Sequence, residues 1–156
     1  MKTVLLDTSF LDSLVIDTRA FHENAKTYFS YFIKNGYTLI LSTIVVSEYA
    51  TQHSAKDLLK LCDFRILNFE LIHAAKAEHI NLIKYRRNKT GNRNCFKDDL
   101  KIIAQATCIP NLDYLITGDN GFYNFLEKQK AELGFDSYFQ PVHFHKELPH
   151  YFDIQN

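Results

Sequence analysis

The chain has 156 residues, 46% of them hydrophobic, which suits one domain, 1–156, with a substantial core. Lys and Arg together number 18, as do Asp and Glu, so the zero formal charge excludes a basic arm or acidic tail and makes any polyanion contact local. Cys62, Cys95 and Cys108 form no CxxC pair and are odd in number; with no signal-peptide-like run before Asp7 and no later span for a bilayer, the expectation is a cytoplasmic protein without a membrane or a disulfide scaffold.

Short apolar runs of β character alternate with segments of helical period, which predicts an α/β domain with a mainly parallel sheet. The first strand is Thr3 to Leu6, ending at Asp7. A helix is expected from Phe21 to Asn35, with Gly36 placed to terminate it. Its aromatic cluster, YFSYF at Tyr28 to Phe32, suits a core or a dimer seam better than base stacking. The strand Tyr37 to Leu41 precedes a helix from near Ser42 through Glu48 toward His53, and AKDLLKLC supplies a short helix. FRILNF, Phe64 to Phe69, reads as a third strand, followed by a helix from Glu70 to about Tyr85.

KDDLKIIAQA, Lys97 to Ala106, is a helix with an anomaly. At 100° per residue Leu100, Ile102, Ile103, Ala104 and Ala106 form an apolar arc, with Lys97, Lys101 and Gln105 opposite and Asp98 at the polar edge. Asp99 falls within the apolar arc, beside Ile102 and Ile103. A buried carboxylate needs a proton, a hydrogen-bond partner or a cation; the alternative is that Asp99, in the helix's first turn, caps it. The strand Asp113 to Thr117 then leads to Gly118 and Asp119, a helix from Phe122 to about Leu133, a last strand near Phe139 to Phe144, and a tail from about 146 expected to be weakly structured.

In open parallel sheets the crevice lies beyond the carboxyl ends of the strands. Asp7 and Asp119 sit at two such ends, Glu48 rides the helix after the second strand, and Asp99 precedes DYLIT. Each has a plain alternative: Asp7 as a cap, Asp119 as a turn residue, Glu48 as a surface acid. Gathered together, four carboxylates raise one another's pKa unless a cation neutralises them, and an oxygen-only set favours Mg²⁺ or Mn²⁺ over Zn²⁺. The segment Lys84 to Lys97 holds Lys84, Arg86, Arg87, Lys89, Arg93 and Lys97 with no acid until Asp98, a positive stretch suited to a phosphate backbone or simply to solvent. His143, His145 and His150 lack a fourth ligand at convincing spacing for zinc. No dinucleotide, P-loop or nucleophile-elbow signature occurs.

VLLDTSFL at the amino terminus, SEYA around Glu48, DLKIIAQA from Asp99 and LITGDNGF around Asp119 resemble, in order and over nearly the whole chain, the PIN-domain ribonucleases and especially the bacterial VapC-type toxins. The resemblance implies a sheet of order 3-2-1-4-5 flanked by helices in three layers. It also implies metal-dependent RNA cleavage leaving a 5′-phosphate and a 3′-hydroxyl, and an acidic quartet of Asp7, Glu48, Asp99 and Asp119 that is both catalytic and metal-binding. Thr8 or Ser9 and Thr117 match hydroxyl positions that assist. Two departures stand out: Gly118 replaces a residue often basic, and Asp98 adds a fifth acid. An RNA substrate, a small antitoxin protein and a homodimeric assembly are the partners so implied. A metal-dependent phosphatase or phosphotransfer protein and a non-catalytic PIN-like binding module are the rival readings. DTS lacks the second Asp of a D-x-D nucleophile, and a pure scaffold has no reason to keep acids near apolar surface.

Overall fold

Val4, Leu5 and Leu6 are fully buried, and so, within 2%, are Leu39, Ile40, Leu41, Leu115, Ile116 and Val142. Successive strand residues face opposite sides of a sheet, so unbroken burial requires cover on both faces, as in a parallel sheet sandwiched by helices. The computed structural model describes residues 2–84, 93–133 and 139–152, and only the backbone at 81–84, 93–96 and 129–133. The five strands are β1 (Thr3–Leu6), β2 (Thr38–Ser42), β3 (Arg65–Leu67), β4 (Tyr114–Thr117) and β5 (Gln140–His143). They form one parallel sheet of order β3-β2-β1-β4-β5, the three-layer PIN-like arrangement expected. Seven α-helices connect them among the described residues: α1 (Thr8–Val15), α2 (His22–Lys34), α3 (Thr43–Tyr49), α4 (Ala55–Leu58), α5 (Leu71–Lys84), α6 (Arg93–Cys108) and α7 (Asn120–Leu133). None of the described helices is long and apolar enough to cross a membrane.

Local chemistry sets several boundaries. Gly36, at φ +66°, ends α2: its N–H reaches Ile33 O at 3.2 Å and that of Tyr37 reaches Phe32 O at 3.0 Å, the paired bonds of a Schellman turn. Ser42 caps α3 by accepting the Ile44 N–H at 3.0 Å.

Four expectations need correction. Helix α1 was absent from the sequence reading; its apolar residues Phe10 and Leu11 are fully buried, but eight residues give the 3.6 period little room to show. Strand β3 is three residues, with the flanking Phe64 and Phe69 outside it. Helix α6 begins by Arg93, so Asp99 lies nearly two turns in. Gln105 does not face solvent, because every residue from Ile102 to Thr107 is buried and the polar–apolar division of α6 holds only in its first half. Its amide is satisfied by the Ser42 hydroxyl at 2.5 Å and by the carbonyls of Leu67 and Asn68 at 3.4 and 3.2 Å, which ties α6 to the ends of β2 and β3.

Residues 147–152 are also more ordered than expected. Leu148–His150 form a 3-10 turn, and Phe152, 5% exposed, packs its ring against Tyr28, Tyr31, Phe32, Tyr37 and Tyr114, with centroids 4.9 to 6.4 Å away. The aromatic cluster of α2 is therefore core that the tail completes. Phe152→Ala should cost about 3–5 kcal/mol, read as a lowered urea midpoint at unchanged slope; a loss within 0.5 kcal/mol, the usual range of surface changes, would show the tail to be dispensable.

Candidate functional site

The sheet order places β1 beside β4, while their outgoing connections lead away to β2 on one side and β5 on the other. Such a reversal is where an open parallel sheet forms a crevice. Leu6 pairs with Ile116, and the Asp7 N–H extends the ladder to Ile116 O at 3.0 Å, which sets Asp7 next to Thr117.

Asp7 is buried. It occupies the N-cap position of α1 but makes no side-chain cap bond. Its Oδ2 instead accepts the hydroxyls of Ser9 at 2.6 Å and Thr117 at 2.7 Å. Ser9 Oγ accepts the Gly118 N–H at 2.8 Å, and Thr117 Oγ1 accepts the Asp119 N–H at 3.0 Å. Hydroxyls thus join the start of α1 to the turn after β4. Asp119 does act as a cap: Oδ1 accepts the Phe122 N–H at 2.8 Å and its carbonyl accepts that of Tyr123 at 2.9 Å. That bond orients the side chain of Asp119, itself an exposed residue. Glu48 extends from α3, where its Oε2 accepts the Thr8 hydroxyl at 2.6 Å.

Asp99 is half-buried and too deep in α6 to cap it. Burial, then the charges of Asp7, Asp119, Glu48 and Asp98, push its pKa up to about 7. Burial also raises Asp7, against the hydrogen bonds of Ser9, Thr117 and Thr8, with Asp119 adding repulsion. Glu48 is an exposed residue, yet burial of its carboxylate raises its pKa too, opposed by Thr8 and reinforced by Asp7, Asp98 and Asp12. Acids from four separate segments therefore lie within electrostatic reach of one another. They do not form a closed cage: among the described residues no three His, Cys, Asp or Glu side chains are grouped so as to hold a metal ion as they stand. The hydrogen bonds to Asp7, Glu48 and Asp119 hold these carboxylates to protein donors while like charge keeps the set apart.

Asp98 sits at the margin, its Oδ1 accepting a bond from Lys101 Nζ at 2.7 Å. The sequence reading missed Asp12, whose charge reaches Glu48 and whose carboxylate lies 3.6 Å from Arg19 and 3.8 Å from His53. Its spacing of four from Thr8 would have placed it on the site's face had α1 been recognised. Of the basic residues, Lys97 is exposed near the start of α6. Arg86, Arg87 and Lys89 lie outside the described residues, as do the side chains of Lys84 and Arg93. His143 and His145 do come together, rings 4.5 Å apart, and burial lowers the pKa of each.

The sequence matches no family model and no curated protein. Its structure is similar to that of VapC20 from Mycobacterium tuberculosis, a sarcin-ricin loop cleaving toxin, with a TM-score of 0.60 and 17% identity over 78% of this chain and 94% of that one. It is also similar to a chain of VapBC2 from Rickettsia felis, solved bound to a DNA fragment from their promoter, with a TM-score of 0.55 and 15% identity over 90% of this chain and 98% of that one. The fold is a VapC-like PIN fold. At such low identity these likenesses speak for the fold, and the side-chain geometry must speak for the chemistry.

The raised pKa of Asp99 has a definite sign in stability. The metal-free folded chain holds that proton more tightly than the unfolded chain, so this contribution is complete below the ordinary 3.8 and is lost as pH rises through about 7. Urea unfolding in chelator should show Asp99→Asn gaining stability relative to the parent between pH 5 and pH 8; a pH-independent difference would mean that Asp99 is an ordinary carboxylate.

Proposed function

We propose that the chain is a divalent-metal-dependent endoribonuclease, the toxin of a toxin–antitoxin pair, with Mg²⁺ or Mn²⁺ held by Asp7, Glu48, Asp99 and Asp119. The observation that carries this reading is the gathering of acids from four segments at the β1–β4 reversal, where burial first, and neighbouring carboxylates after it, raise the pKa of Asp7, Glu48 and Asp99. An all-oxygen, anionic donor set suits a hard divalent ion, and a cation among these acids offsets both the burial and the repulsion that raise the pKa of Asp99. When bound, such an ion supplies an activated water for in-line attack on a phosphodiester and neutralises charge on the leaving oxygen.

The chain's own residues prepare for this. Ser9 and Thr117 fix the orientation of Asp7, Thr8 fixes that of Glu48, and the α7 cap fixes that of Asp119. Outer hydrogen bonds of this kind orient the carboxylates before a ligand arrives, and the set, open as it stands, closes on the ion when it binds. Without a cation the pocket's negative charge repels a phosphate. With one, that repulsion is reduced and the ion offers a phosphate oxygen a positive partner, while the basic residues Lys84, Arg86, Arg87, Lys89, Arg93 and Lys97 are the candidates to hold the RNA backbone. No histidine need act as base. The names of the two similar structures, one a sarcin-ricin loop cleaving toxin and the other VapBC2 bound to its promoter DNA, support RNA as substrate and a small antitoxin as partner. A second copy of the chain and a cytoplasmic setting complete the proposal.

Asp7→Asn and Asp99→Asn should each lower Mn²⁺-dependent cleavage of total RNA by on the order of 100-fold or more, with near-parental circular dichroism. Cleavage that persists in both variants, or in excess chelator, would falsify the assignment.

A further inference from the structure

A cavity of about 280 Å³ adjoins the acidic cluster. Its walls include Ser9 and Asp12 of α1, Arg19 and Phe21 from the link to α2, Gly118 after β4 and His145 after β5. Ser9 belongs to both places: the hydroxyl that binds Asp7 at 2.6 Å also accepts the Gly118 N–H at 2.8 Å, so the cavity begins one side chain from the candidate metal ligands.

Three features give the cavity a chemical character. Phe21 and His145 stack with centroids 3.7 Å apart and planes 11° from parallel, and Phe21 is 37% exposed, an aromatic surface with a firm backing. His145 is held there by edge contacts with His143 and Phe144, and by the missing side chain at Gly118, where a Cβ would fall 3.0 Å from His145 Nε2 and 2.3 Å from Phe144 Cε1. The third feature is the half-exposed guanidinium of Arg19, 3.6 Å from the Asp12 carboxylate, which sets donors and acceptors side by side. An aromatic plane beside paired donors and acceptors is how proteins take an unstacked base, by its face and by its edge. The volume lies just below the roughly 300 Å³ at which drug-sized sites begin, which limits the occupant to about one base.

We propose that this cavity is a subsite for the base of a nucleotide flanking the scissile phosphate, stacked against the Phe21 ring and met at its edge by Arg19 and Asp12. The inference rests on the ribonuclease reading and deepens it: the subsite gives cleavage a preference for position along the RNA. Gly118 leaves the space that the rings of Phe144 and His145 occupy.

Two measurements on the full chain separate the subsite from the reading beneath it. In the first, the His145 ring resonances, identified by their loss in His145→Gln, are followed by NMR as 5′-nucleoside monophosphates are added without divalent ion. The expected result is a saturable shift that Phe21→Leu abolishes and that Arg19→Ala weakens by about 10-fold. In the second, an RNA with a single abasic site is moved stepwise across the cleavage point in Mn²⁺. One flanking position should slow the parent by about 10- to 100-fold and slow Phe21→Leu by less than about 3-fold. RNA cleaved with His145 unmoved, and with equal abasic effects in parent and Phe21→Leu, overturns the subsite and leaves the nuclease standing. A saturable His145 shift in a chain that cuts no RNA overturns the nuclease and upholds nucleotide binding in the cavity.

Discussion

Negative charge withdrawn from water, at Asp7 after β1 and at Asp99 on α6, is the constraint on which the rest of the site depends. Placing Asp7 and Asp99 near Asp119 and Glu48 is unfavourable twice over, through lost hydration and through mutual repulsion. A fold maintains such an arrangement only if other interactions over-determine it. Here they do: continuous parallel pairing from Leu6 to Ile116, fully buried apolar residues on both faces of the sheet, and hydroxyls of Ser9, Thr8 and Thr117 aimed at the acids. The hydroxyls moderate the desolvation of Asp7 and Glu48. On Asp99, burial and then the neighbouring charges push the pKa up to about 7.

The same constraint links scaffold to chemistry. Gln105, buried in α6, anchors that helix to the ends of β2 and β3 through Ser42, Leu67 and Asn68, and α6 carries Asp99 two turns earlier. Ser42 also caps α3, which carries Glu48. One buried amide and one buried hydroxyl thus set two of the acids relative to each other, although neither touches the crevice. Glu48 and Asp99 ride on helices while Asp7 and Asp119 sit in the short, hydrogen-bonded connections that start α1 and α7, which fits a site whose groups must stay close against their own repulsion.

How much of this could be read from the residues varied with the physics involved. The strands were legible because parallel strands buried on both faces give unbroken runs such as VLL and LIL, and the acids that end them were conspicuous for interrupting apolar sequence. Asp99 was legible because a carboxylate on an apolar arc contradicts helical period. Helix α1 was not, since Thr8–Val15 spans barely two turns, and Asp12 was lost with it. Gln105 misled because a helical wheel assigns faces without knowing that α6 is enclosed on all sides after Ile102. The order of Phe152 depends on tertiary contact with α2, which no local pattern displays. The role of Gly118 as a space for His145 required two segments distant in sequence to be seen together.

The account comes down to whether a divalent ion takes the place of a proton among these carboxylates. Calorimetric titration of Mn²⁺ into the metal-free chain, in two buffers of different ionisation enthalpy, measures both binding and the protons displaced. At pH 6 the account predicts binding with release of roughly one proton, falling toward none at pH 8, as a group titrating at about 7 requires. No binding at millimolar Mn²⁺, or binding without proton release at either pH, would contradict it.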